Sequence, residues 1–417
     1  MLVDDRKAAL LAKVKARAEA KAAQSAADAR MACDDLVTLA DIEEAYEVVK
    51  ASPGVRRTPL LGGFELGGAA ELLLKLENVQ STGSFKIRGM TNVFSRASAA
   101  SKACGAVTMS AGNAGRSFAT LAASEGVDGV VIMPHGVPPS RRRAIEACGA
   151  RVESAHMAGL QARVDELVRD EGRFYVHPFD AKALIAGHAS CGLEIAEQCP
   201  DADVILVCCG GGGLVSGIAA AAKLAGDSKQ AGDAKQAAGS KRKQPRVYAV
   251  EPEGAPTMHE SLRAGAPAAL APGAHTIAHG LAAPFAGPVS FEHVRAFVDG
   301  VILVTDDELR AATRLAYGWG LVAETSGCAG IAALLAGKVP GGVAGLRVVA
   351  VVSGSNIGVE ELAEEAFGMT VVLPADSGDR PPTNTWAAPW WALLGLACGA
   401  AATAYAYKKG KRLFRWS

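Results

Sequence analysis

A lysine set among small and apolar residues, in Ser81-Thr82-Gly83-Ser84-Phe85-Lys86-Ile87-Arg88-Gly89, is where residue types first suggest chemistry beyond packing. Between phenylalanine and isoleucine the amine can be held in a dry pocket, where losing its proton costs less than in water. An uncharged lysine is both a nucleophile and a base. The same stretch could also be an amphipathic edge whose ammonium reaches solvent. Two further stretches favour the chemical reading. Ser110-Ala111-Gly112-Asn113-Ala114-Gly115 follows a β-type run, and Cys209-Gly210-Gly211-Gly212-Gly213-Leu214 lies between the apolar run Val204-Ile205-Leu206-Val207 and a helical pattern starting near Val215. A glycine run at a strand-to-helix junction can bring successive backbone N–H groups close to an anion, and the following helix adds its positive end. Without the lysine it would read as a flexible turn.

The elements that must position these residues follow a strand and helix rhythm. Thr38-Leu39-Ala40-Asp41 is a capping-box pattern ahead of Ile42, Ala45, Val48 and Val49, whose spacing gives one apolar helix face ending near Ser52-Pro53-Gly54. Strands are expected at 106–109 and 130–133, with a helix through Phe118 and Leu121 and another that Ser140 could cap. His177-Pro178-Phe179-Asp180 and Ile185-Ala186-Gly187-His188 lead to a further helix, then to the strand before the glycines. Short apolar runs between helical patterns predict a buried parallel sheet. The polar, repetitive stretch 226–244 reads as an inserted surface loop. After it come the strand 246–252, a helix start at Thr305-Asp306-Asp307-Glu308, and the strand 348–352 running into Ser353.

The 417 residues are half apolar, enough for a large bilobed unit, and 43 basic residues balance 43 acidic ones. Nothing in that balance points to nucleic acid. Nine scattered cysteines, without a Cys-x-x-Cys pair, fit neither a disulfide framework nor a zinc site. Cys208 and Cys209 read as small buried hydrophobes beside the glycine loop.

From about Leu36 to Phe367 the chain resembles the fold type II pyridoxal-phosphate enzymes, the group of serine and threonine dehydratases and serine racemase, with the motifs above in that family's order. The resemblance implies an α/β fold like the tryptophan synthase β chain, with two open, twisted, mostly parallel sheets flanked by helices. The cofactor, pyridoxal 5'-phosphate, would lie in the cleft between the lobes, and the smaller lobe would span about 85–185. It implies that Lys86 forms the Schiff base, that Phe85 lies against the ring, and that Gly210, Gly211, Gly212, Gly213 and Leu214 receive the phosphate. Asn113 would bond the phenolic oxygen, though it could equally cap a helix. Ser353 would face the ring nitrogen, and Ser84, Ser110, Ala111 and Gly112 the amino-acid substrate. The implied reaction is β-elimination of L-serine or L-threonine to pyruvate or 2-oxobutanoate with ammonia, by a homodimer. A neutral hydroxyl at the ring nitrogen suits elimination over transamination.

Serine racemase is the alternative within the family. Its second acid/base is a serine just before the Gly-Asn pair, and here that position is Ala111, which carries no proton. The racemase cation site pairs a glutamate with an aspartate. Glu251 matches the first, but Thr257 stands at the second, so no metal is expected. Other departures are Ala114 for histidine, His188 for glutamine, His279 for aspartate and Ser355 for glycine. A non-catalytic scaffold relative has no physical need for Lys86, the tetraglycine, Asn113 and Ser353 together.

Outside this unit, 1–35 reads as a helical or frayed extension and 369–385 as a linker. The uncharged run 386–407 is close to the roughly 20 residues a membrane-crossing helix needs. Tryptophans 386, 390 and 391 and tyrosines 405 and 407 stand at its ends, Gly395 and Gly399 form a small-residue face, and a basic tail, 408–417, follows. The expectation is a tail anchor in an organelle membrane with the catalytic unit in the cytosol. An alanine-rich helix docked on the protein is the competing reading.

Overall fold

The computed structural model describes residues 36–227 and 244–371. The extension 1–35, residues 228–243 of the expected loop, and everything from 372 on, including the expected spanning helix, lie outside them. Among the described residues no helix is long and apolar enough to cross a membrane.

The elements in chain order are α1 (Leu39–Ala51), β1 (Leu60–Phe64), β2 (Glu71–Leu76), α2 (Lys86–Arg96), α3 (Ala99–Ala103), β3 (Ala106–Met109), α4 (Asn113–Ser124), β4 (Gly129–Pro134), α5 (Pro139–Glu146), β5 (Arg151–Ala155), α6 (Leu160–Glu171), β6 (Phe174–Tyr175), α7 (Lys182–Gln198) and β7 (Val204–Cys208). They continue with α8 (Gly213–Asp227), β8 (Arg246–Pro252), α9 (Thr257–Ala264), α10 (Pro288–Phe297), β9 (Gly300–Val304), α11 (Asp306–Gly318), α12 (Ala329–Leu335), β10 (Arg347–Val352) and α13 (Val359–Phe367). One sheet has the order β1-β2-β10-β7-β8-β9 and the other β5-β4-β3-β6. Every pairing is parallel except β1 with β2.

Strands such as β7, buried along its whole length, are continuous apolar runs because helices cover both faces of a parallel sheet. The larger sheet centres one core, around Leu74, Val204, Leu206 and Ala350. The smaller centres another, in which Ile87, Met90 and Phe94 of α2 meet Phe118 and Val131.

The expected capping box at Thr38 forms, and the expected helix start at Thr305 turns out to carry one as well. Thr38 Oγ1 accepts the Asp41 N–H at 3.2 Å while the Asp41 carboxylate accepts the Thr38 N–H at 2.8 Å. Thr305 and Glu308 do the same at α11. The expected cap at Ser140 is corrected: α5 starts at Pro139, whose missing N–H and fixed φ suit a first helical position, so Ser140 lies inside the first turn and caps nothing. Residues 185–188 lie within α7 rather than ahead of it, and α8 begins at Gly213, slightly before the expected Val215.

Candidate active site

Lys86 opens α2, a helix pinned from below by Ile87, Met90 and Phe94, each at most 1% exposed. Its Nζ donates to the Pro178 carbonyl at 2.7 Å and stands 5.0 Å from the centre of the Phe85 ring. Burial of the amine lowers its pKa from 10.5 to about 8, with Cys208 acting weakly in the opposite direction. The segment that supplies the Pro178 carbonyl is tied down by its neighbours. His177 Nδ1 accepts the Asp180 N–H at 2.9 Å, and burial, then the nearby Lys86, push that imidazole down to about 4, so it is neutral at physiological pH. Asp180 in turn accepts the Ser290 N–H at 2.8 Å at the start of α10.

The same segment forms a wall of the glycine loop. A β-carbon at Gly211 would overlap the Phe179 ring, and one at Gly213 would overlap the Phe179 carbonyl. Gly212 has φ +97°, a conformation that side chains strain to adopt. The loop therefore admits only glycine at these positions, and it delivers the chain directly into the N-terminus of α8, where backbone N–H groups lack helical partners. The Leu214 side chain is 4% exposed and part of the large-sheet core, so only its backbone is left to face the loop.

Ser353 follows β10. Its carbonyl accepts the Phe85 N–H at 3.1 Å, and Gly354 pairs with Ser84 in an antiparallel bridge. These bonds hold Ser353 against the residues that precede Lys86. Ser84 is fully buried and its hydroxyl has no partner among the described residues. Such an orphan is costly unless something joins it.

Asn113 is the first residue of α4, but its side chain does not cap that helix. Nδ2 donates to Glu324 Oε1 at 2.7 Å and Oδ1 accepts from Asn356 Nδ2 at 2.7 Å. The amide keeps a second N–H to give. Beside it, Ser110 Oγ accepts the Gly112 N–H at 3.2 Å, shaping the turn through Ala111 and Gly112. Glu324 was not singled out in the sequence. Burial raises its carboxyl to about 7, against the lowering effect of the Asn113 bond.

Several residues noted above as departures from the expected pattern make contacts within the fold. His188 is fully buried against Phe85, ring centres 4.9 Å apart, and burial holds it well below its usual range, hence neutral. Ser355 donates to the Asn78 carbonyl at 2.8 Å, and His279 lies 3.3 Å from Glu365. Both Glu251 oxygens accept backbone N–H groups, of Met258 and His259, each at 2.8 Å, so this carboxyl serves the start of α9. Thr257 instead bonds the Ala283 carbonyl at 3.3 Å.

A desolvated amine at Lys86, a glycine cradle at a helix N-terminus, and a buried neutral hydroxyl at Ser353 are the group types that pyridoxal phosphate requires, so the residues present fit that group. Comparison with known proteins agrees. The family model described as "pyridoxal-phosphate dependent enzyme" matches residues 51–354. The chain is 35% identical to the L-threonine ammonia-lyase of Thermotoga maritima over 78% of its own length and 77% of that protein's. It is 34% identical to the catabolic L-threonine dehydratase TdcB of Escherichia coli K12, over 79% and 95% respectively. The structure of maize serine racemase superposes with a TM-score of 0.70 at 29% identity, covering 80% of this chain and 97% of that one. The chain belongs to the family of pyridoxal-phosphate dependent enzymes.

Proposed function

We propose that this chain is a lyase that removes the amino group and the β-hydroxyl of L-threonine or L-serine, yielding 2-oxobutanoate or pyruvate with ammonia. The observation that carries the reading is Lys86, whose desolvated amine is bonded to the Pro178 carbonyl, one residue before the Phe179 that walls the glycine loop, in a chain about a third identical to threonine dehydratases. Pyridoxal phosphate, when bound, supplies the electron sink that weakens the substrate's Cα–H bond. Gly210 to Gly213 hold its phosphate, Asn113 its phenolic oxygen and Ser353 its ring nitrogen. Ser84, Ser110 and the backbone of Ala111 and Gly112 receive the substrate carboxylate. Lys86 Nζ takes the Cα proton, and the β-hydroxyl leaves with a proton as water. Hydrolysis of the released enamine returns that water and frees ammonia, so the atoms balance.

Serine racemase is the second reading. Ala111 offers no proton, and the carboxyl such a reaction would call on is Glu324, bonded to Asn113 and held near neutrality. Incubation of the holoenzyme with L-serine, with pyruvate and D-serine measured together, separates the two. Pyruvate in clear excess is expected, and D-serine forming at a comparable rate overturns the ranking.

The attachment of the unit to a membrane through 386–407 rests on sequence alone. Full-length protein is expected to sediment with membranes and a chain ending near Ser377 to stay soluble. Full-length protein in the soluble fraction rejects the tether.

A further inference from the structure

Strand β7 ends at Cys208, whose Sγ donates to Ser353 Oγ at 3.1 Å. Both residues are closed off, at 4% and 2% exposure. Ser353 is fixed through its main chain as well, by the bond from Phe85 N to its carbonyl and by the bridge between Gly354 and Ser84. A serine hydroxyl has two lone pairs and one proton. Cys208 engages a lone pair, and no bond from the Ser353 proton to an acceptor occurs among the described residues.

We propose that Cys208 is a positioning residue for the cofactor: by donating its S–H to Ser353 Oγ, it turns the Ser353 hydroxyl so that its proton is directed at the pyridine nitrogen. The proposal rests on the assignment of Ser353 made above. Burial pushes the Cys208 thiol up to about 11, so it retains the proton it must donate across the physiological range. An apolar side chain at the end of β7 would lack the donor and leave Ser353 free among its staggered rotamers. A hydroxyl that accepts one bond also becomes a better donor in another, so the thiol both aims and strengthens the contact. The whole arrangement is uncharged. It gives the ring nitrogen a hydrogen bond without forcing a proton onto it.

The test compares wild type, Cys208→Val, Cys208→Ser and Ser353→Ala, loaded with pyridoxal phosphate labelled with ¹⁵N in the ring. The readouts are the nitrogen chemical shift and the cofactor dissociation constant. Cys208→Val is expected to weaken cofactor binding about five-fold, the effect of one net hydrogen bond. Its ring-nitrogen resonance should move toward that of Ser353→Ala. Cys208→Ser, which keeps a donor, should restore most of both. Cys208→Ala replaces the valine variant if branching disturbs the strand. A valine or alanine variant with wild-type shift and affinity overturns the proposal, as does a Ser353→Ala variant that moves neither. The dehydratase reading fails separately, through absence of keto acid from the wild-type enzyme, and that failure leaves the nitrogen comparison intact because it needs only bound cofactor.

Discussion

Replacing Lys86 with alanine is expected to abolish the visible absorbance of the lysine-linked cofactor and to lower keto-acid formation by at least about a thousandfold, since a positioned acid/base alone contributes about 10²–10⁴. The size of the effect follows from the two roles proposed for one atom: Nζ would hold the cofactor aldehyde and would take the Cα proton. The same amine sets a pH dependence. With its pKa lowered from 10.5 to about 8 by burial, Lys86 is mostly protonated at pH 7, and only the neutral form attacks an aldehyde. Attachment of pyridoxal phosphate to the apoprotein should therefore accelerate about tenfold per unit as pH rises toward 8, then level off. Stopped-flow absorbance follows it directly. Persistence of the band in Lys86→Ala, or a rate still climbing steeply through pH 10, contradicts the assignment.

Arg88→Ala should be the most destabilising single change near the site, by about 3–5 kcal/mol, the range for breaking one side of a buried ion cluster. Arg88, Lys75 and Glu77 are each 0% exposed. Arg88 Nε reaches Glu77 at 2.7 Å, its Nη1 and Nη2 each reach Glu194 at 2.8 Å, and Lys75 Nζ lies 2.5 Å from Glu194. Two cations thus balance two carboxylates out of water. Removing the guanidinium leaves Glu77 and Glu194 with one lysine between them, and desolvation of the surplus carboxylate is uncompensated. Because Arg88 is in the first turn of the helix that Lys86 opens, cofactor affinity should fall with stability. The contrast is Arg57→Ala, which breaks an ion pair to Glu197 whose two side chains are 49% and 48% exposed. That change should cost under about 1 kcal/mol. Urea denaturation of the two variants checks the difference, and equal midpoints would show that the buried cluster is not what holds α2.

What could be read in the sequence was local. Both threonine capping boxes are spelled out within four consecutive residues, and both form. The tetraglycine falls between an apolar strand and a helix, as its neighbours indicated. What could not be read depends on chain segments brought together from far apart. Asn113 and Glu324 are 211 positions apart, and Cys208 and Ser353 are 145. The Pro178 carbonyl that receives Lys86 is 92 positions away and carries no motif, because any residue has a carbonyl. Burial decided other cases. Leu214 lies in the cradle by sequence, yet packing turns its side chain into the core. Asn113 is placed where a helix cap would be, but tertiary partners on both sides of its amide outcompete the local bond. Ser140 is a plausible cap in isolation and loses to Pro139, whose backbone geometry suits the first helical position better.

The most direct test of the dehydratase reading is the yield of 2-oxobutanoate and ammonia from L-threonine, measured together with purified holoenzyme. The account predicts that both form in equal amounts, that neither forms with Lys86→Ala, and that added pyridoxal phosphate does not restore that variant. Unchanged L-threonine after prolonged incubation with wild-type protein carrying its lysine-linked cofactor, in a parallel trial where L-serine is also spared, would contradict it.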